Sequence, residues 1–189
     1  MSDLRATVFS NFPVLETERL RLRESGPDDA GATLAVLSSE EVCRYYDLSP
    51  LTLLDEAAKL IANRAAAFTR EERIRWALAR REDDVVIGSC GLSRWDEKAA
   101  QAEVGYELAP AYQGRGLMRE ALSAVLGFGF DRMRLERVEA NVVPGNEPSL
   151  RLLRRLGFRE VELRRARGFW KGESHDLIHH LLYREDWHD

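Results

Sequence analysis

Two cysteines are few for 189 residues, and Cys43 and Cys90 share neither a C-x-x-C spacing nor a nearby histidine. That leaves no disulfide framework and no thiolate metal site to argue from, and it fits two free thiols in the reducing cytoplasm. Long apolar runs are missing as well: none approaches the roughly 20 residues that span a bilayer, so no membrane partner is expected. The opening stretch, MSDLRATVFSNFPVLETERL, scatters acids and bases among its apolar residues and lacks the core of a secretory signal. Positive charge is not in excess. A net charge of -4 would be repelled by a phosphate backbone, which argues against nucleic acid as a partner. Internal repeats, low-complexity tracts and linkers are also lacking, so residues 1–189 read as one domain, large enough to bury a proper core.

What is there alternates between periods of two and of 3.6. ERLRLRE gives a half-buried strand over about Arg19–Glu24, with its arginines on a solvated face. SGPDDAGATLAVLSS starts a helix near Asp28 or Asp29, and a second helix is expected over about Leu54–Thr69. RIRWALARRE and VVIGSCGLSRW form a hairpin about a DD turn, QAEVGYEL adds a third strand, and a long helix reaches about Met133. ERVEANVV is a further strand, Asn146–Leu156 a short helix, and the remainder two strands about a Gly-containing turn. The order predicts a mixed α/β sheet with helices packed on it.

Ahead of the long helix stands AYQGRGLMREAL. Leu117, Ala121, Leu122, Val125 and Phe128 form one apolar stripe, so this helix packs on the sheet. No Ser, Thr, Asp or Asn lies between Pro110 and Met118 to cap it. Glycines and Arg115 stand there instead, and an uncapped helix end beside a cation suits an anion. The other possibility for these residues alone is a turn whose amides face water. The spacing is neither a P-loop nor a dinucleotide fingerprint.

The stretch AEVGYELAPAYQGRGLMREAL resembles the acyl-CoA-binding motif of the GNAT superfamily of N-acetyltransferases, Q/R-x-x-G-x-G/A, with Gln113, Gly116 and Met118 at its fixed positions. Met118 departs from the usual glycine or alanine. LETERLRLRESGPDDA, IGSCGL, NEPSLRLLRRLGF and HDLIHHLLYREDW are similar, in order, to the branch that acetylates N-terminal residues of ribosomal proteins, and the resemblance covers about 14–187. It implies a mostly antiparallel twisted sheet flanked by helices, acetyl-CoA as co-substrate, no metal, and direct attack of an amine within a ternary complex. It also implies that Leu108, Gln113, Gly114, Arg115, Gly116, Leu117, Met118, Asn146 and Ser149 hold coenzyme A. The acceptor it implies is a protein N-terminus; a small amine or amino sugar, or a non-catalytic acyl-CoA-binding module, remains open, as does a monomer or homodimer.

Acetyl transfer needs a base for the amine, polarisation of the thioester and a proton for the thiolate. On QAEVGYEL, Glu103 and Glu107 share a face, roughly 13 Å apart. The resemblance assigns the base, acting through water, to Glu103; Glu107 or water alone remain alternatives. Asn146 should cap the amide of Ser149, because Pro148 has none to offer. Ser149, Leu152, Leu153 and Leu156 then form a stripe toward the sheet, and the resemblance makes Ser149 the acid for the thiolate. His175, His179 and His180 read as pairing and packing residues without a third metal ligand. Trp76, Trp95 and Trp170 suit the core as well as an acceptor pocket.

Overall fold

The computed structural model describes residues 4–188. Its strands are β1 (Leu15–Glu16), β2 (Leu20–Arg23), β3 (Arg73–Arg80), β4 (Val86–Asp96), β5 (Gln101–Leu108), β6 (Arg137–Val142), β7 (Arg159–Trp170) and β8 (Glu173–Tyr183). Its helices are α1 (Leu4–Phe9), α2 (Ala30–Leu37), α3 (Glu40–Cys43), α4 (Leu54–Thr69), α5 (Leu117–Asp131) and α6 (Glu147–Arg155). The strands make one sheet in the order β1-β2-β3-β4-β5-β6-β8-β7. Every neighbouring pair is antiparallel except β5 with β6.

That exception shapes the molecule. β5 and β6 pair through three rungs, Gln101 with Arg137, Ala102 with Val138 and Glu103 with Glu139. Yet β5 continues to Leu108 and β6 to Val142. Past the Glu103 rung the two strands part and open a split in the middle of the sheet.

Register fixes what lies on either face. Trp76, Cys90 and Tyr106 form one row across β3, β4 and β5, and Ala77, Ser89 and Glu107 the next, on the opposite face. The first face buries α5, whose expected stripe is all buried, and Phe128 meets Trp76 edge-on at 5.4 Å. Trp76 is a core residue, with its indole N–H donated to the Pro13 carbonyl at 2.7 Å. On the second face, Ala77 and Ala79 are small enough for α2 to approach through Ala32. Ala57 and Ile61 of α4 close a separate cluster with Leu37.

Three expectations change. The helix read from Asp28 or Asp29 is a 3-10 turn (Pro27–Asp29), then α2, then α3, because Ser39 breaks the run and caps α3 by accepting from the Val42 amide. Helix α1 and strand β1 went unread, since neither is long enough to show a period. Val8 and Phe9 are nonetheless buried, with Phe9 on Phe68 at 5.1 Å. The arginines of β2 are not simply solvated. Arg23 lies between Asp29 (2.7 Å) and Asp84 (3.0 Å) and ties the strand to both turns. Burial opposes the charge on Asp29, but hydrogen bonds from Arg23 and the Gly26 amide outweigh it and hold the carboxyl below its ordinary range.

Candidate active site

The glycine turn follows β5 and stands at the mouth of the split. Gly114 and Gly116 both take the left-handed conformation, with φ of 72° and 79°, where a side chain would be strained. Gly116 is the first residue of α5's frame, and no side chain caps the helix. Among the described residues, the amides of 114–119 have no hydrogen-bonded acceptor. The turn is held from outside. Gln113 Nε2 donates to the Leu108 carbonyl at 3.0 Å, and Arg19 Nη1 donates to the Arg115 carbonyl at 3.0 Å. Glu120, in the first turn of α5, binds Arg19 and Thr17 in return. Burial works against its charge, but the Thr17 and Arg19 hydrogen bonds outweigh it and keep the carboxyl below its usual range. The carbonyl is thus tied off while the amides stay unpaired. The guanidiniums of Arg115 and Arg80 both lie over Tyr112, at 5.6 and 5.4 Å, and make this rim cationic. Unpaired amides, a positive helix end and flanking cations fit a phosphate group.

The opposite rim is the start of α6. Asn146 Oδ1 accepts from the Ser149 amide at 3.3 Å, the cap read from sequence. The buried stripe of α6 is centred on Leu150 and Leu153, so Ser149 stands at its edge, half-buried, instead of within it. There its Oγ lies 2.6 Å from the Tyr106 hydroxyl of β5. The structure therefore joins the two walls of the split through a pair of hydroxyls. Burial pushes the Tyr106 phenol up to about 12, against the milder lowering from the Ser149 hydrogen bond. The phenol stays protonated at any working pH and always has a hydrogen to give. Tyr106 was missed in the sequence. The available signal was a hydroxyl among Ala102, Val104 and Leu108 on the buried face of a strand, since a buried tyrosine hydroxyl finds a partner.

The two glutamates of β5 meet different surroundings. Glu107 is buried, accepts from Arg64 Nη2 at 3.1 Å, and is bonded by Arg75 and Ser89 as well. Arg75 also donates to the Gly105 carbonyl at 2.8 Å. Three donors, two of them guanidiniums, engage the two carboxylate oxygens, and Glu107 is tied into the fold. Glu103 sits on the last rung before the split, across from Glu139, with its side chain 26% exposed. Its partner is Arg94 at 3.3 Å, a side chain 80% exposed and loosely held.

The second face of the sheet closes the split from the other side. Tyr45, after α3, donates to the Gly145 carbonyl at 3.0 Å, and Lys171 of the β7–β8 turn donates to the Cys43 carbonyl at 2.5 Å. The segment around residues 43–46 therefore bridges the α6 rim and the last hairpin. Trp170 stacks on His175 at 4.2 Å, and Trp95 lies under Arg5 at 4.6 Å, so neither indole stands free. His179 Nε2 lies 3.2 Å from Glu139. Burial pulls His180 below its ordinary range. Among the described residues, no three His, Cys, Asp or Glu side chains are placed to hold a metal ion, and no helix is long and apolar enough to cross a membrane.

Known proteins share this arrangement. The chain is 36% identical over 165 residues to the uncharacterized N-acetyltransferase YoaA of Bacillus subtilis, covering 87% of this chain and 93% of that one. It is 33% identical over 84 residues to the [ribosomal protein uS5]-alanine N-acetyltransferase of Escherichia coli, covering 44% and 43%. The fold matches the crystal structure of a GNAT-family acetyltransferase from Bacillus anthracis with a TM-score of 0.81 at 21% identity, over 92% of this chain and 99% of that one. The profile of the acetyltransferase (GNAT) domain matches residues 19–159. A sheet split between two parallel strands, an uncapped helix behind a glycine turn and a match over most of the chain establish the protein as a member of the GNAT family of acetyl-transferring enzymes.

Proposed function

We propose that this enzyme transfers the acetyl group of acetyl-CoA, the donor used across its family, to the α-amine of a protein N-terminus. The observation that carries the reading is the row of unpaired amides at 114–119 beside a split whose walls meet in the Tyr106–Ser149 pair. The amides and Arg115 would hold the pyrophosphate. Leu108 and the backbone of Leu117 and Met118 line the same approach, and Asn146 faces it from the other rim. A non-catalytic binding module has use for the amides but none for two hydrogen-bonded hydroxyls at the far end of the split.

The chemistry follows from what each residue offers. The amine arrives from the second face, loses its proton through water to Glu103, and attacks the thioester carbon. The C–S bond breaks, negative charge collects on sulfur, and the nitrogen gives its second proton through water to that sulfur, so the amide forms and coenzyme A leaves as the thiol. Ser149, backed by Tyr106, donates a hydrogen bond to that sulfur. A phenol near 12 is a weaker acid than a thiol near 8.5, so the pair stabilises the thiolate as it forms instead of protonating it outright. The acceptor rests on similarity to the uS5-alanine enzyme, and it is the α-amine whose pKa, near 8, suits a loosely held carboxylate base.

Gly116→Val tests the donor site. Left-handed backbone costs an L-residue about 1–2 kcal/mol, so a drop in Tm is expected whatever the ligand. Gly172→Val carries the same strain at φ 78° in open space at the last hairpin. Calorimetry should show acetyl-CoA binding lost in the first variant and kept in the second. Equal affinity in both would remove the assignment. Mass spectrometry of acetylated products, from peptides beginning with Ala or Ser and from small amines, tests the acceptor.

A further inference from the structure

We propose that Asn141 and His179 form the seat of the acceptor's amino group. The proposal rests on the reading of the enzyme as a primary-amine acetyltransferase and adds the residues that hold the amine. Asn141 on β6 and His179 on β8 are direct partners across the antiparallel pair, so their side chains are neighbours on one face. That face is the one carrying Glu103 and Glu139. Glu139 closes the last rung between β5 and β6, and Asn141 is the next residue of β6 on this face, just inside the split.

His179 is 3% exposed, and its Nε2 points at the Glu139 carboxylate. A carboxylate only accepts, so Nε2 carries a hydrogen, and in the neutral tautomer that does so Nδ1 is an acceptor. That Nδ1 is buried without a partner, and so is Asn141 Oδ1. The two side chains make no hydrogen bond to each other, and both atoms stay unmet. Unmet buried acceptors destabilise a fold, and native structures retain few of them. What the pair lacks is a molecule bringing two N–H donors.

A primary amine about to attack is such a molecule. Once neutral it has two N–H bonds and one lone pair. Two fixed acceptors would take the two hydrogens and leave the lone pair free for the thioester. Glu103 and Glu139, one rung behind, favour the ammonium form on arrival, offset in part by Arg94 on Glu103 and by Arg164 at 4.0 Å from Glu139. Holding the nucleophile in one orientation is itself a large source of rate.

Two substitutions test the pair. His179→Leu removes the Nδ1 acceptor and puts no other polar atom in its place, while Arg164 stays beside Glu139 at 4.0 Å. Asn141→Leu keeps the size and removes Oδ1. Steady-state kinetics with acetyl-CoA and a peptide beginning with Ser should show the peptide KM raised about tenfold in each, with the KM for acetyl-CoA unchanged. Melts of the ligand-free variants should show Tm unchanged or raised, since each loses an unsatisfied buried atom. A Tm lowered by more than about 4 °C would make the pair structural and overturn the proposal, as would an unchanged peptide KM. If the parent does not acetylate the peptide, the α-amine reading fails on that result. The amine seat is then decided by the same variants with n-butylamine as acceptor and by the melts.

Discussion

Glu103 and Glu107 occupy the same face of the same strand, four residues apart, and could hardly differ more. Glu107 is locked between Arg64, Arg75 and Ser89, with its side chain 5% exposed. Glu103 keeps one partner, the exposed Arg94 at 3.3 Å. The difference comes from where β5 stands in the sheet. At Glu107 the face is covered by α4, which delivers Arg64, while Glu103 stands at the branch point, on the last rung that β5 shares with β6. One carboxylate is tied into the fold by three donors and the other keeps a single exposed partner. Alternation along a strand tells which residues share a face, and says nothing of what covers that face at each end.

The widest gap between the two should be in stability. Glu107→Gln leaves two buried guanidiniums uncompensated, and removing one partner of a buried ion pair costs about 3–5 kcal/mol. At about 2–4 °C per kcal/mol for a chain of this size, Tm should fall by roughly 6–20 °C. A melt within 2 °C of the parent, on the same scale, would erase the contrast. Next in size are the two hydroxyls to which the proposed mechanism gives a role opposite Glu103. Ser149→Ala and Tyr106→Phe should each lower kcat by about 100-fold or more, with the KM for acetyl-CoA near its parent value. The double variant should be scarcely worse than the poorer single, as for residues acting as one unit. Because Tyr106 is held near 12, the rate should show no falling limb below pH 11. A loss under about threefold, far below the usual worth of a hydrogen bond to charge developing in the transition state, would confine Ser149 to the helix.

Glu103→Gln comes third. At neutral pH about a tenth of an α-amine is already free base, so the variant should lose modest activity and recover much of it toward pH 9. A variant inactive at every pH would instead place Glu103 on the acceptor's charge. The smallest effect is expected of Arg94→Ala, since exposed ion pairs contribute little. Its Tm should stay within about 1 °C, and kcat should hold or rise as Glu103 is released.

Much of this was legible beforehand. The stripe of α5, the missing cap, the Asn146 cap and the antiparallel run of β3, β4 and β5 all follow from local pattern, and the structure has each of them. The motifs of the resemblance led to the family. What could not be read were meetings between distant residues. Arg64 lies 43 positions from Glu107, and Ser149 lies 43 from Tyr106. Period two placed Tyr106 correctly on its face, yet nothing in QAEVGYEL names Ser149 as its partner. The parting of β5 and β6 was equally silent, because it depends on where β8 inserts beside β6.

That parting has a mechanical consequence. Three rungs are all that β5 gives β6, so along the split the portion up to β5 and the portion from β6 onward are joined by the Tyr106–Ser149, Tyr45–Gly145 and Lys171–Cys43 contacts and by the core they share beneath it. Whatever fills the split touches both portions at once. The binding energy of a co-substrate held there would add to the cohesion of the whole chain, by RT ln(1 + [L]/Kd), and would make it a keystone as well as a reagent.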